Sequence, residues 1–214
     1  MNALNLCDIK ALDMKLSQAA SPVIVTHMKP DGDAMGSSIA MYHILKLYGK
    51  ACRIAVSDRF PSNLEFIADT ISSDDLIIYE ENPQRAESAL ASSDLIICLD
   101  FNAFHRTDKL EDALTASSAE KVLIDHHLSP DTEQFSLIFS ETEISSASEL
   151  LYNILLPLPP IGEDAARIPA EAATALMTGM TTDTNNFANS VYPSTLMMAS
   201  SLLAVGVDRN MILQ

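Results

Sequence analysis

Four clusters of imidazoles and carboxylates stand beside strand-like apolar runs in this chain. The first is His27-Met28-Lys29-Pro30-Asp31-Gly32-Asp33. The second is Asp100, directly after Leu95-Ile96-Ile97-Cys98-Leu99. The third, Asp125-His126-His127, follows Val122-Leu123-Ile124, and the fourth is Asp183 in Thr181-Thr182-Asp183-Thr184. Mixed His and Asp donors without Cys suit Mn²⁺, Mg²⁺, Zn²⁺ or Fe²⁺, and the oxygen-rich balance favours Mn²⁺. The clusters hold enough donors for a pair of ions. Ions about 3.5–4 Å apart share a bridging carboxylate, clamp a phosphoryl oxygen and lower the pKa of a water between them. Asp100 is the candidate bridge.

Each cluster also has a plainer reading. Pro30 and Gly32 are turn formers, so a turn is expected to gather His27, Asp31 and Asp33 without a helix face. Gly36 and Ser37 would then open the next helix, whose free N–H groups favour anions. The alternative is a solvated turn with Asp33 as an ordinary N-cap. Asp100 ends a purely apolar run, where a carboxylate is costly unless paired, metal-bound or at an open strand end. Arg106 has a planar fork suited to phosphate, or pairs with Asp108 or Glu111. Adjacent His126 and His127 point to different sides, so one suits a metal and the other a substrate. A metal-bound His needs a carboxylate behind it, for which Asp125 or another Asp serves. His127 could also protonate a leaving group. Asp183 alone is a turn or cap residue; beside the others it adds an oxygen ligand.

The elements that must position these residues alternate. Strands are expected over 22–26, 51–56, 76–79, 95–99 and 122–124, with an edge strand at 135–140. Helices are expected over 36–48, 63–68, 83–91, 106–115, 146–156, 169–180 and 194–205, with Ser145 or Ser146 as a cap and Pro169 at a first helical position. Continuous apolar strands separated by helices give an α/β fold, a mainly parallel sheet with helices on both faces, followed by an all-helical C-terminal portion. In such sheets ligands bind beyond the carboxyl ends of the strands, where the first three clusters fall.

Composition bounds the function. The chain has 214 residues, 48% of them hydrophobic, enough for a substantial core. Its net charge of −16 argues against a duplex DNA binder that relies on a basic face. Bound cations can still invert the local field for a phosphate. No apolar run is long enough for a membrane helix, and the N-terminus lacks a signal-peptide pattern. With three unclustered cysteines, this predicts a cytoplasmic protein. The absence of G-x-G-x-x-G after the first strand argues against a dinucleotide oxidoreductase. The apolar end at 211–214 reads as part of a longer protein.

The order His-x3-Asp-x-Asp, strand-end Asp with a following Arg, Asp-His-His, then Asp after a Thr-rich stretch resembles the DHH phosphoesterase family. The likeness runs from His27 to about Asn186. Val25-Thr26-His27, Asp31 to Ser37 and Thr182-Asp183-Thr184 look most like its nanoRNase/phosphoadenosine-phosphatase branch. The resemblance implies a Rossmann-like DHH catalytic domain over 1–214 and hydrolysis of short RNA oligonucleotides, linear dinucleotides or 3′-phosphoadenosine 5′-phosphate. By it, His27, Asp31 and Asp100 would hold one Mn²⁺, and Asp33, Asp100, His126 and Asp183 the other. His127 would contact the scissile phosphate, Asp125 would orient the ligand shell, and Arg106 would lie near substrate.

Two features depart from the family. The Gly-rich, His-containing motif of its C-terminal substrate-binding domain is absent from this sequence. Asn185-Asn186-Phe187-Ala188 stands where the branch often has Gly-Ser-Phe-Arg. Two competing readings remain beside the phosphoesterase. One is a manganese inorganic pyrophosphatase or exopolyphosphatase-like hydrolase. The other is a non-catalytic nucleotide-binding module. Oligomeric state stays open, a homodimer included.

Overall fold

The computed structural model describes residues 4–213. In chain order the elements are α1 (Leu6–Gln18), β1 (Pro22–Thr26), α2 (Gly32–Leu47), β2 (Arg53–Val56), α3 (Glu65–Ala68), β3 (Leu76–Ile78), α4 (Pro83–Ala91) and β4 (Leu95–Leu99). Then come α5 (Glu111–Ala116), β5 (Glu120–Asp125), β6 (Leu137–Ser140), α6 (Ala147–Leu155), α7 (Ala170–Asp183), α8 (Pro193–Ala204) and α9 (Arg209–Ile212). The six strands form one sheet in the order β3-β2-β1-β4-β5-β6, every pair parallel. No helix among the described residues is long and apolar enough to cross a membrane.

Strand residues alternate between two cores because successive side chains leave a strand on opposite faces. Ile24, Ile54, Ile97, Leu99 and Ile124 pack with α1, α2, α6, α7 and α8. Val23, Val25, Ala55, Ile96, Cys98 and Leu123 pack with α4 and α5 on the other face. With both faces covered, β1 and β4 are buried along their whole length, which explains their unbroken apolar sequences.

Strand order reverses between β1 and β4. The chain lays β2 and β3 to one side of β1, then returns to place β4 on the other. A crevice opens at such a reversal, beyond the strand carboxyl ends. The register pairs Thr26 with Leu99 and Leu99 with Ile124. His27, Asp100 and Asp125 therefore leave the sheet at one level, around that crevice. Thr26 Oγ1 donates to the Leu99 carbonyl at 2.8 Å and helps fasten this end.

Several boundaries differ from the sequence expectation. Helix α2 starts at Gly32, not 36, because Asp31 Oδ1 accepts the N–H groups of Asp33 and Ala34 and caps it. Asp31 is thus the N-cap, and Asp33 sits in the first turn. Gly36 and Ser37 lie inside the helix, and Ser37 Oγ is taken by the Asp33 carbonyl at 2.7 Å, so they open no anion site. The helix expected over 106–115 is a 3₁₀ stretch, Phe104–Leu110, broken at Asp108 (φ 49°, ψ −107°), followed by α5. Pro169 is the N-cap of α7 rather than its first residue, and α7 runs on to Asp183. Helix α1 was not anticipated; its moderately polar sequence hides a buried stripe of Ile9, Leu12 and Leu16. The apolar tail carries α9 as far as Ile212; residues 1–3 and Gln214 lie outside the described residues.

Candidate metal centre

Asp100 is the centre of the cluster. It follows β4 directly, is 3% exposed, and has φ 63°, the left-handed region that a non-glycine residue adopts only at a cost of about 1–2 kcal/mol. That twist aims its carboxylate across the crevice. Oδ2 stands 3.4 Å from His27 Nε2, and Oδ1 stands 3.4 Å from His126 Nε2. Asp31 Oδ1 is 3.9 Å from the same nitrogen of His27. On the other side, His126 Nε2 lies 3.7 Å from Asp183 Oδ2 and 3.9 Å from Asp33 Oδ2. Donor atoms of His27, Asp31 and Asp100 all lie within 4.8 Å of one another, as do those of Asp33, His126 and Asp183.

These spacings fit ions better than direct hydrogen bonds. Donors sharing a cation at about 2.1 Å with angles of about 90–109° stand about 3.0–3.4 Å apart, and wider angles take the distance toward 4 Å. Asp100 Oδ1 is also buried with no hydrogen-bond partner of good geometry among the described residues. A buried carboxylate oxygen left this way is costly unless a cation uses it. The residues therefore fit a pair of divalent ions, with Asp100 between two donor sets.

Charge is crowded here. Burial works against a charged His27, but the facing Asp100 carboxylate, the Met28 carbonyl and Asp31 together raise it to about 9. Burial likewise opposes charge on His126, and Asp100, Asp33 and Asp183 raise it to about 9. Asp33 is pushed well above the carboxylate range by burial and by the charges of Asp100 and Asp183. Burial and the neighbouring Asp100 and Asp31 lift Asp183 to about 6 against the pull of His126. Asp100 is desolvated too, yet His126 and His27 hold it below its usual value. In the metal-free protein, protons therefore occupy part of the place that cations would take.

Close helix packing brings Asp33 and Asp183 together. α2 and α7 cross where Gly32, Gly36 and Gly179 meet. A Cβ on Gly36 would lie 2.5 Å from the Ala175 carbonyl oxygen, and one on Gly179 would lie 2.8 Å from Asp33 Oδ1. Neither helix could approach this closely with a larger residue. The Asp33 carboxylate is gripped from a third element: the N–H groups of Ala147 and Ser148, at the N-terminus of α6, donate to Oδ2 at 2.6 Å and Oδ1 at 2.9 Å. The sequence reading recognised a cap at Ser145 or Ser146 but not this long-range acceptor. A helix start offering unpaired N–H groups was the available signal.

Asp125 plays a narrower part than orienting the ligand shell. It is fully buried, accepts the His127 N–H at 3.1 Å on Oδ2, and faces His127 Nδ1 at 2.7 Å on Oδ1. It therefore fixes His127 rather than His126 and leaves His127 Nε2 directed away from Asp125. His127 Nδ1 is also 3.8 Å from Asp100 Oδ1, so it belongs to the same cluster. Arg106 is linked by its backbone, its carbonyl accepting the Met28 N–H at 2.7 Å. Its guanidinium is exposed and, among the described residues, pairs with neither Asp108 nor Glu111. Thus all six expected metal ligands converge with His127, Asp125 stands behind His127, and, among the described residues, Arg106 is tied to the cluster only through the backbone bond to Met28. Two cavities, about 420 Å³ between α4 and α5 and about 520 Å³ between α6 and α8, touch none of these side chains.

Residues 22–180 match the DHH family, N-terminal domain. The chain belongs to the DHH family. It is 30% identical over 187 residues to the bifunctional oligoribonuclease and PAP phosphatase NrnA of Thermus thermophilus, covering 86% of this chain and 50% of that protein. It is 25% identical over 211 residues to the cyclic-di-AMP phosphodiesterase PdeA of Listeria monocytogenes, covering 96% of this chain and 31% of PdeA. The crystal structure of an exopolyphosphatase-related protein from Bacteroides fragilis superposes with a TM-score of 0.90 at 34% identity, over 99% of this chain and 60% of that one. The chain thus spans half or less of these two curated relatives. The parallel α/β sheet and DHH membership expected from the sequence are both found.

Proposed function

We propose that this chain is a metal-dependent phosphoesterase whose substrates are short oligoribonucleotides, linear dinucleotides or 3′-phosphoadenosine 5′-phosphate. The observation that carries this reading is Asp100: its two oxygens face two separate His-carboxylate sets, the arrangement a shared bridging ligand needs. His27, Asp31 and Asp100 would hold one Mn²⁺; Asp33, Asp100, His126 and Asp183 would hold the other. Such ions would supply Lewis acidity toward a phosphoryl oxygen and water of lowered pKa.

The remaining steps belong to the chain's own side chains. Asp125 fixes the orientation of His127, so its Nε2 can hydrogen-bond a phosphoryl oxygen or give a proton to the departing oxygen. Arg106, exposed and without an acidic partner among the described residues, can grip a second phosphate. The named activities of the Thermus and Listeria relatives, both on phosphoester bonds of nucleotides, support this substrate class. That residues 1–214 suffice as a DHH catalytic unit is part of the proposal.

The test is an assay of the 214-residue protein with Mn²⁺ against pApA, 3′-phosphoadenosine 5′-phosphate, cyclic di-AMP and pyrophosphate. Turnover of pApA or the bisphosphate is expected, and failure to cleave any of the four would sink the reading. A second reading, an exopolyphosphatase-like hydrolase, draws on the likeness to the Bacteroides protein. Preference for pyrophosphate over pApA would decide for it.

A further inference from the structure

Glu149 is fully buried, which is unusual for a carboxylate in the first turn of a helix. Ser146 Oγ accepts the Glu149 N–H at 3.0 Å, an ordinary N-cap bond. The Glu149 carboxylate reaches further. Its Oε2 accepts the Ser145 N–H at 3.2 Å, the Ser145 hydroxyl, and Thr195 Oγ1 at 2.6 Å. Thr195 lies in the first turn of α8 and itself accepts the Tyr192 N–H at 3.0 Å. A glutamate in the first turn of a helix ordinarily does its work in solvent. Burying the same carboxylate carries a desolvation cost that its partners must offset. A plain cap does not need this construction.

What the construction fixes is the first turn of α6. The next two N–H groups of that turn, from Ala147 and Ser148, hold both oxygens of Asp33. A continuous path therefore runs from α8 through Thr195, Glu149 and the α6 amides to Asp33, and from Asp33 to His126 at 3.9 Å.

We propose that Glu149 and Thr195 are positioning residues for the metal centre, locking the α6 amides that aim Asp33 toward the ion it would share with His126 and Asp183. They touch neither ion nor substrate, and act only through Asp33. The inference rests on the two-ion reading above.

The test uses Thr195→Val, near in shape but unable to donate, and Thr195→Ser, which keeps the hydroxyl. Mn²⁺ binding to the whole chain is followed by titration and by electron paramagnetic resonance. Asp33→Asn identifies which binding constant belongs to the Asp33 side. Thr195→Val is expected to weaken that same constant about tenfold, the scale on which supporting partners of metal ligands act, and to leave the other constant within about twofold. Thr195→Ser is expected to restore both. Equal weakening of both constants, or no change in either, would overturn the inference. A double-mutant cycle between Thr195→Val and Asp33→Asn in the metal-free protein gives a second readout. Strict additivity of their effects on unfolding would also overturn it. If the wild-type chain binds fewer than two ions, the two-ion reading falls first and takes this inference with it.

Discussion

At the scale of residues, Asp100 and Asp125 separate binding from chemistry. Asp100 faces both donor sets, so Asp100→Asn removes a charge from each. Loss of both high-affinity Mn²⁺ sites in a titration is expected, with activity reduced on the order of 10³-fold or more, as when one member of a catalytic unit is removed. Among the described residues, the Asp125 carboxylate makes its hydrogen bonds to His127. Asp125→Asn is expected to lower kcat about 10²-fold while both Mn²⁺ affinities stay near wild type; a drop in affinity would reassign Asp125 to the metal shell.

The protonation pattern adds a pH dependence. His27 and His126 rise from 6.5 to about 9 on folding, so their contribution is full below 6.5 and lost as pH rises toward 9. Asp183, lifted from 3.8 to about 6, loses its contribution in the lower window. Both act in one direction: the melting temperature of the chelator-treated protein should fall as pH rises from 5 to 9 in calorimetry. Mn²⁺ must displace these protons, so its affinity should climb with pH by up to about tenfold per unit for each proton released.

At the scale of elements, the crossing of α2 and α7 decides the site. Gly179→Ala forces a methyl against Asp33 and Ser148. We expect a loss of about 1–3 kcal/mol in denaturant unfolding, typical of overpacking, together with weaker Mn²⁺ binding on the Asp33 side. Unchanged binding with the same loss of stability would mean the helices shift without moving the carboxylate.

This scale also marks what the sequence made legible. Strands β1 and β4 and the 122–124 stretch of β5 announce themselves as apolar runs, with His27, Asp100 and His126 close behind them. The sequence expectation starts α2 late because Pro30 and Gly32 read as turn formers; Gly32 and Gly36 are small for packing against α7, a contact no local pattern reveals. The hold of α6 on Asp33 spans more than a hundred residues and has no local mark beyond the Ser146-Ala147-Ser148-Glu149 cap. Asp108, which breaks the stretch after β4, likewise gave no helix-ending signal such as Gly or Pro.

At the scale of the molecule, the −16 charge and the phosphate chemistry pull against each other. Long-range repulsion should slow the arrival of an anionic substrate, and salt should relieve it within a Debye length of about 10 Å at 0.1 M. With saturating Mn²⁺, kcat/KM toward pApA is expected to rise as NaCl goes from about 10 to 100 mM. A steep fall would instead reveal a basic path to the site, with Arg106 as the first residue to examine.

The reversal of strand order between β1 and β4 has a kinetic consequence. Donors gathered in that crevice come from residues 27 to 183, and the side of β1 that β4 covers must wait for the return crossing. Such distant pairings form slowly and late. A half-folded copy would thus hold these side chains apart, and the proposed centre would assemble only once α7 has brought Asp183 to the sheet.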